Sequence, residues 1–382
     1  MSFLHTTTQQ TFLEDIIRRE ILADGGYMRF SRFMEMSLYT PELGYYASHQ
    51  AKFGREGDFI TAPEITPLFA QSIAVQFQQI LAECDYEAVL ELGAGTGQFA
   101  MDVLLELECL HSLPEKYYIF EISADLRARQ KELLQKNCPH LFSRIQWLDT
   151  LPQNGISGVI FANEVIDALP FDLFNFDNAS IKERGVTVRQ DNLCWIDIEA
   201  CEALTIKVHE LHEKYFFADG YVSEINLHLS AWIKEISATL KHGAIVLLDY
   251  GYNQQDYYHP ERNAGTLMCH YQHTRNTNPL IRVGLQDITA HVDFTAIAEC
   301  ALEADLQVAG YTTQTAFLLA CGILHLAEQT HLSAAKTYQQ NQAIKTLTLP
   351  SQMGEVIKAM CLTKNIDIPL IGFHTFDKRK NL

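Results

Sequence analysis

The residues with the clearest chemical potential follow a short apolar run and precede a stretch with helical spacing: Glu91-Leu92-Gly93-Ala94-Gly95-Thr96-Gly97. Glycines at such a turn let the backbone pass close to a ligand. The carboxylate just ahead of them, Glu91, does not suit a pyrophosphate, which binds to the positive ends of dipoles. It suits a cationic or zwitterionic ligand. The string therefore predicts a site for a molecule such as S-adenosylmethionine, whose methionine end has this character.

Two further carboxylates follow the next two predicted strands. Glu121, beside Ile122, closes the second strand 24 residues after Gly97, where a carboxylate can accept both ribose hydroxyls of an adenosine. Asp149 follows the third strand, where it could accept from the adenine amino group. Since ligands bind at the carboxyl ends of the strands in parallel sheets, these residues predict a donor site together with the glycines.

A nicotinamide or flavin enzyme is the main alternative for this motif. Residues 95–100 read GTGQFA and satisfy GxGxxA, although one such match is weak evidence. The extra Gly93 and the preceding Glu91 favour the methyl donor. A tight turn without any ligand is the simplest explanation of the glycines, and the spaced carboxylates speak against it.

The end of the fourth predicted strand carries the candidate acceptor residues. Methyl transfer is an in-line displacement, so the protein must align the reactants and exclude water, and a guanidinium acceptor also needs carboxylates to hold it. Asn163 and Glu164 end this strand, and Asp167 lies one helical turn later. His291 and Asp293 flank Val292, and the alternate spacing could point both into one cleft as a base and its orienting group. Helix capping by Asn163 and Asp167, and a structural histidine, are the simpler explanations.

A loop earlier in the chain could close over the donor. Asp58, Thr61 and Glu64 lie in a segment bounded by glycines and prolines, and a lid there would complete the site. Turn formation and a helix start would explain the same residues. Cys269, His270 and His273 resemble metal ligands, but no second ligand pair accompanies them, so we expect no metal site.

Strands and helices alternate from residue 86 onward, which predicts a doubly wound α/β fold of Rossmann-like type with a parallel sheet. Residues 1–80 form a predicted N-terminal helical region with the lid loop, and residues 81–382 the main domain. Residues 171–225 interrupt the alternation as a β-containing insertion, and a long loop spans residues 252–285. A last strand is expected near IPLIGFH.

Composition excludes several classes of protein. The 382 residues carry a net charge of −18, which disfavours nucleic acid binding in the absence of a basic stripe. Nine cysteines without a CxxC pair indicate reduced thiols rather than disulfides. No membrane span is expected, and the first twenty residues lack secretory and transit features. We therefore expect a cytoplasmic location.

Several motifs, in order along nearly the whole chain, resemble the MidA-like class I methyltransferases, whose mitochondrial member is a complex I assembly factor. The shared strings are GREGDFITAPEITPLFAQ (54–71), ELGAGTG (91–97), FEISADLRARQ (120–130), ANEVIDALPFDLF (162–174), LLDYGY (247–252), GLQDITAHVDFTAI (284–297) and MGEVIKAM (353–360). Two details differ: the loop reads GAGTG where the family often has GPGRG, and FEISADL lacks the proline common after the serine. All three glycines remain.

The resemblance implies a class I methyltransferase fold with an added helical region. It also implies S-adenosyl-L-methionine as the methyl donor and a protein side chain as the acceptor, with arginine as the expected residue. A protein substrate is the expected partner, and a homodimer stays open. The alternatives are an assembly chaperone that binds the donor without turnover and, less favoured, an NAD(P)-binding oxidoreductase.

Overall fold

The structure, a computed structural model, describes residues 2–48, 61–178, 180–330 and 332–382, with side chains from residue 9 onward. Its α-helices are α1 (Ser2–Ala23), α2 (Phe30–Tyr39), α3 (Ala62–Ile65), α4 (Leu68–Ala82), α5 (Gln98–Cys109), α6 (Ala124–Asn137), α7 (Glu202–Tyr215), α8 (Leu229–Thr239), α9 (Gln254–Tyr257), α10 (Phe294–Glu303), α11 (Gln314–Ala320), α12 (Ile323–Glu328) and α13 (Ala334–Thr348).

The strands are β1 (Tyr27–Arg29), β2 (Ala88–Leu92), β3 (Lys116–Phe120), β4 (Ile145–Leu148), β5 (Ile156–Asn163), β6 (Asp172–Asp177), β7 (Ser180–Arg189), β8 (Asn192–Glu199), β9 (Tyr221–Ile225), β10 (Leu240–Tyr252), β11 (Met268–Tyr271), β12 (Thr274–Asn276), β13 (Asp287–Thr289), β14 (Val292–Asp293), β15 (Gln307–Thr313) and β16 (Ile357–Lys364). The main sheet has the order β15-β16-β10-β5-β2-β3-β4, and β14 also pairs with β10. Neighbours from β10 to β4 are parallel, whereas β16 is antiparallel to both β10 and β15. This arrangement confirms the predicted Rossmann-like class I fold.

The central strand β2 shows how apolar sequence forms this sheet. All five of its residues are buried. Val89 packs into one core cluster, while Ala88, Leu90 and Leu92 pack into the cluster on the opposite face. A parallel strand covered by helices on both faces needs such a continuous apolar run. Glu91 is the exception within this run, and a carboxylate buried there needs a hydrogen-bond donor or a positive charge as its partner.

The insertion forms a second sheet, as expected for residues 171–225. Its strands run in the order β1-β7-β6-β9, with β8 paired to β7, and α7 lies between β8 and β9. The N-terminal strand β1 pairs antiparallel with β7, so the N-terminal segment and the insertion share one sheet. They also share a core cluster that includes Phe30 and Phe171, with ring centroids 5.5 Å apart.

One predicted strand is wrong. IPLIGFH forms a 3-10 turn at Ile371–Phe373, and the last strand is β16, which begins within the MGEVIKAM string. The backbone of Gly372 donates to the side chain of Gln76 on α4, and its neighbour Phe373 packs into the core beside Phe317. Side-chain contacts, rather than strand pairing, therefore fix this apolar segment.

Candidate active site

A cavity of about 320 Å³ opens at the carboxyl ends of β2, β3 and β5, where ligands bind in sheets of this type. Among the residues that the structure describes, five glutamates line it and no Lys, Arg or His does. Such a lining suits a cation and opposes a pyrophosphate. The glutamates are Glu64, Glu91, Glu121, Glu164 and Glu235.

The three glycines of the loop all adopt left-handed backbone conformations. Their φ angles are +67° at Gly93, +54° at Gly95 and +87° at Gly97. Residues other than glycine adopt this backbone region only with strain. A Cβ on Gly97 would also lie 3.1 Å from Cγ of Gln130, whereas a Cβ on Gly95 would have no atom of the described residues within 4 Å. Gly93 and Gly95 line the cavity, while Gly97 is the N-cap of α5.

Glu91 lies fully buried beneath this loop. The hydroxyl of Tyr117 donates to its Oε2 at 2.7 Å. Burial raises the pKa of Glu91 to about 8, the Tyr117 hydrogen bond opposes the rise, and the nearby charge of Glu121 adds to it. A positive group in the cavity would offset the burial and favour the ionised carboxylate. The side chain is therefore prepared for a cationic ligand.

Glu121 lies at the end of β3 and lines the cavity beside Ile122. Its Oε1 accepts from the backbone N–H of Ser123 at 2.9 Å, and its Oε2 accepts from Nε2 of Gln130 at 3.3 Å. The same Gln130 amide donates to the carbonyl of Gly95 at 2.9 Å. Gln130 thus ties the carboxylate to the glycine loop, a role that the sequence alone did not indicate.

Asp149 does not line the cavity, and its predicted role at the adenine stays a prediction. Its side chain is 88% exposed and pairs with Arg127, whose Nη1 lies 2.6 Å from Oδ1. Arg127 also donates to the carbonyl of Leu148, so one guanidinium holds both the last residue of β4 and the carboxylate that follows it. Leu151, two residues after Asp149, lines the cavity instead.

The predicted lid loop reaches the site through its described end. Thr61 and Glu64 line the cavity, and the hydroxyl of Thr96 donates to Oε1 of Glu64. This contact joins the start of α3 to the glycine loop. Asp58 lies outside the described residues, so its predicted role stays a prediction.

Glu164 follows β5 and faces the cavity. Its backbone has φ +51°, and its Oε1 accepts from the amide of Asn163 at 3.2 Å and from the backbone of Ala62 at 3.5 Å. Asp249, in β10, stabilises this turn: its Oδ2 accepts from the backbone N–H groups of residues 165, 166 and 167 at 3.1, 2.8 and 3.3 Å. A buried carboxylate therefore holds the strained turn that presents Glu164.

Burial raises the pKa values of the carboxyl groups around this turn. The pKa of Glu164 rises to about 8, with Asp249 the next contributor, and the pKa of Asp167 rises well above its ordinary value. Within the described part of the chain, no Lys, Arg or His forms an ion pair with Glu164, Asp167 or Asp249. Buried acids of this kind favour a cationic partner from outside.

Two tyrosines from the N-terminal segment complete the wall. The rings of Tyr39 and Tyr46 stack with centroids 5.6 Å apart. Tyr39 donates to the carbonyl of Ala168 at 2.8 Å, and Tyr46 donates to Oδ1 of Asp287 at the same distance. Asp249 and Asp287 occur in the LLDYGY and DITAHVDF strings, so the motifs carried a signal for both. The spacing of the sequence did not link Asp287 to Tyr46.

His291 and Asp293 lie in a second cavity, together with Asp167, and do not line the first. Asp293 caps α10 by accepting from the backbone of residues 295 and 296, and it also accepts from Gln254 at 3.1 Å. Burial lowers the pKa of His291 to about 4, with Arg262 and Lys358 adding to the effect. The structure therefore does not place these residues as a base and its orienting group beside Glu164.

The described residues contain no group of three or more His, Cys, Asp or Glu side chains arranged to hold a metal ion. In the same residues, no helix is long and apolar enough to cross a membrane.

Solved structures similar to this chain include a close match over its whole length. A COG1565 superfamily member from Burkholderia thailandensis, bound to S-adenosyl-homocysteine, is 37% identical, with a TM-score of 0.95 and coverage of 99% of this chain and 98% of that chain. A native crystal structure of a protein of this superfamily from the same organism is 36% identical, with a TM-score of 0.92. These matches agree with the fold that the strand order shows.

Curated relatives match across most of the chain. The Caenorhabditis elegans protein named "Protein arginine methyltransferase NDUFAF7 homolog, mitochondrial" is 27% identical. The alignment covers 94% of this chain and 86% of that protein. The mouse protein of the corresponding name is 27% identical over 78% of this chain and 71% of its own length. Because these relatives are mitochondrial, the expected cytoplasmic location is contradicted.

A family model described as "Putative S-adenosyl-L-methionine-dependent methyltransferase" matches residues 68–312. The match includes the glycine loop, the turn at Glu164 and the whole insertion. It decides against the nicotinamide alternative, as does the acidic lining of the cavity. The chain therefore belongs to the MidA-like S-adenosyl-L-methionine-dependent methyltransferases, the family that its motifs resemble.

Proposed function

We propose that this methyltransferase modifies an arginine side chain of a protein substrate and that Glu164 holds the guanidinium. The observation that carries the proposal is the buried, raised-pKa carboxyl of Glu164 on the cavity wall, without an ion-pair partner among the described residues. A guanidinium matches it because the planar group stays charged and donates two parallel hydrogen bonds to one carboxylate. The curated relatives, named as protein arginine methyltransferases, support this acceptor.

The donor would occupy the glycine-loop side of the cavity. Glu91 would neutralise the positive methionine end, and Glu121 would accept the ribose hydroxyls from its position at the end of β3. Gly93 and Gly95 would let the backbone approach the ligand closely. When bound, S-adenosylmethionine supplies a methyl group on a positively charged sulfur.

The acceptor side would align the nitrogen and receive its proton. A guanidinium nitrogen forms the new N–C bond as the S–C bond breaks, and one N–H proton must leave the product. In the empty site Glu164, with a pKa of about 8, holds a proton near neutral pH; the positive guanidinium would favour its release to solvent, and the carboxylate so formed could then accept the N–H proton. The stacked rings of Tyr39 and Tyr46 would exclude water from the same space, which strengthens the carboxylate interactions.

Label transfer with product identification tests the proposed acceptor. The purified methyltransferase is incubated with tritiated S-adenosylmethionine and an extract of cells that lack this methyltransferase. The labelled substrate protein is then hydrolysed to amino acids. We expect the label in methylarginine, with Glu164→Gln reducing incorporation at least a hundredfold. Glu132→Gln, an exposed carboxylate on α6, provides the matched control and should leave incorporation unchanged. Label in methyllysine or in a small molecule would refute the arginine assignment.

A further inference from the structure

A second cavity of about 380 Å³ lies between the insertion helix α7 and helix α10. Each helix contributes side chains spaced three or four residues apart, so one face of each lines the space. We call it the α7–α10 groove; the lining residues used below are Ile206, Lys207, Glu210, His291, Glu299 and Glu303.

The α7–α10 groove shares a wall with the cavity at the carboxyl ends of β2, β3 and β5, which we call the donor cavity. Glu164, Val165 and Ala168 line the donor cavity, whereas Ile166 and Asp167 line the groove. Leu169 lines both. A chain segment lying in the groove would therefore have its neighbouring residues close to the turn that presents Glu164.

The charges along the groove select a cationic occupant. Glu210, Glu299 and Glu303 line it as carboxylates, and among described residues Lys207 is the only Lys or Arg in the lining. Nζ of Lys207 lies 3.4 Å from Glu210 on the same helix and 3.6 Å from Glu299 on the facing one. The chain's own ammonium group thus occupies the position between the two acids. An incoming guanidinium would compete for it, because it presents more donors to the same carboxylates.

Two further residues of the lining, His291 and Ile206, offer a polar and an apolar contact. Nδ1 of His291 is buried and has no hydrogen-bond partner among the described atoms, so the neutral imidazole can pair with a polar group of a peptide. Ile206, which also lines the groove, leaves 53% of its surface exposed and so offers an apolar contact. These contacts fit an extended peptide that carries one cationic and one apolar side chain.

We propose that the α7–α10 groove binds a cationic side chain near the methylated arginine of the substrate protein, and that Lys207 occupies this position until the substrate displaces it. The proposal rests on the proposed function for the identity of the substrate. It assigns the insertion a task, since α7 supplies Lys207, Glu210 and the exposed Ile206.

Peptide binding without donor tests the groove separately from methyl transfer. The probe is a fluorescein-labelled peptide of sequence Gly-Arg-Gly-Leu-Arg-Gly, and its counterpart carries citrulline, which has the same shape but no charge, at both arginine positions. Fluorescence anisotropy gives the affinity. Removing the competing cation with Lys207→Met should tighten arginine-peptide binding about three- to fivefold, and Glu299→Gln should weaken it by a similar factor. The citrulline peptide should bind more weakly and respond to neither change.

Lys336→Met is the matched control, because Lys336 is exposed on α13 and its removal changes the net charge equally. Equal affinities for Lys207→Met and Lys336→Met, in proteins with wild-type Tm, would overturn the proposal. Failure of methylarginine formation alongside the expected binding pattern would refute the proposed function and leave the groove. Methylarginine formation without the expected binding pattern would refute the proposed role of the groove and leave the proposed function intact.

Discussion

Replacement of Glu164 by glutamine should stabilise the protein increasingly as the pH rises. The folded state raises the pKa of this carboxyl from 4.5 to about 8, mainly through burial and then through the charge of Asp249. Between these values the folded protein keeps a proton that the unfolded chain has lost, so the free energy of unfolding falls as pH rises. Glutamine removes this linkage while keeping nearly the same shape.

The magnitude follows from the two pKa values. Their difference corresponds to about 5 kcal/mol when the carboxyl is fully ionised, of which about 3 kcal/mol develops between pH 5 and pH 8. For a chain of 382 residues, 3 kcal/mol corresponds to a Tm difference on the order of 4 °C. The wild-type protein should therefore lose Tm relative to Glu164→Gln across this range.

Thermal unfolding of both proteins, followed at half-unit steps from pH 5 to pH 8, measures the difference directly. Any constant effect of the glutamine amide cancels, because only the change of the difference with pH is used. Glu132→Gln should run parallel to the wild-type protein, since this carboxylate is exposed. Parallel curves for Glu164→Gln as well would refute the buried, proton-holding carboxyl on which the acceptor site depends.

Three other predictions concern the donor site and the sheet. Burial raises the pKa of Glu91 to about 8, and the positive α-ammonium group of S-adenosylhomocysteine needs the ionised carboxylate. The affinity for this ligand, measured by calorimetry, should therefore rise with pH up to about 8, by at most about tenfold per pH unit, whereas Glu91→Gln should bind weakly and lose this dependence. Gln130→Leu should weaken the same binding about tenfold, since it releases Glu121 and the glycine loop; unchanged affinity would contradict this role. Gly158→Ala should lose more than about 3 kcal/mol in urea unfolding, because its Cβ would lie 1.9 Å from the carbonyl oxygen of residue 88. Gly220→Ala, whose Cβ would have no described atom within 4 Å, should lose only about 1 kcal/mol, and equal losses would contradict the steric argument.

The parts of the site that sequence could predict depend on local structure. The glycine loop needs left-handed backbone at three positions within five residues, and only glycine supplies this freely. The position of Glu164 follows from the rule that ligands bind at the carboxyl ends of parallel strands. Both inferences require knowledge of one strand and the turn after it, which the apolar pattern already contains.

The remaining parts depend on contacts between distant segments. Tyr46 donates to Asp287 across 241 positions of sequence, and no periodic pattern encodes such a pair. Asp249 lies inside a buried strand, where its value as an acceptor for the turn after β5 emerges only from the pairing of β10 with β5. The ion pair of Asp149 with Arg127 of α6 is a contact of the same kind, since it joins two segments 22 positions apart and no local pattern indicates it.

Donor binding and methyl transfer, measured side by side in Glu164→Gln, test the central claim most directly. Calorimetry with S-adenosylhomocysteine reports the donor site, and tritium incorporation into protein from labelled S-adenosylmethionine reports transfer. We predict a donor affinity within about threefold of the wild-type value and a loss of transfer of at least about a hundredfold. Transfer at the wild-type rate, or donor binding lost together with transfer, would contradict the assignment of Glu164 to the acceptor.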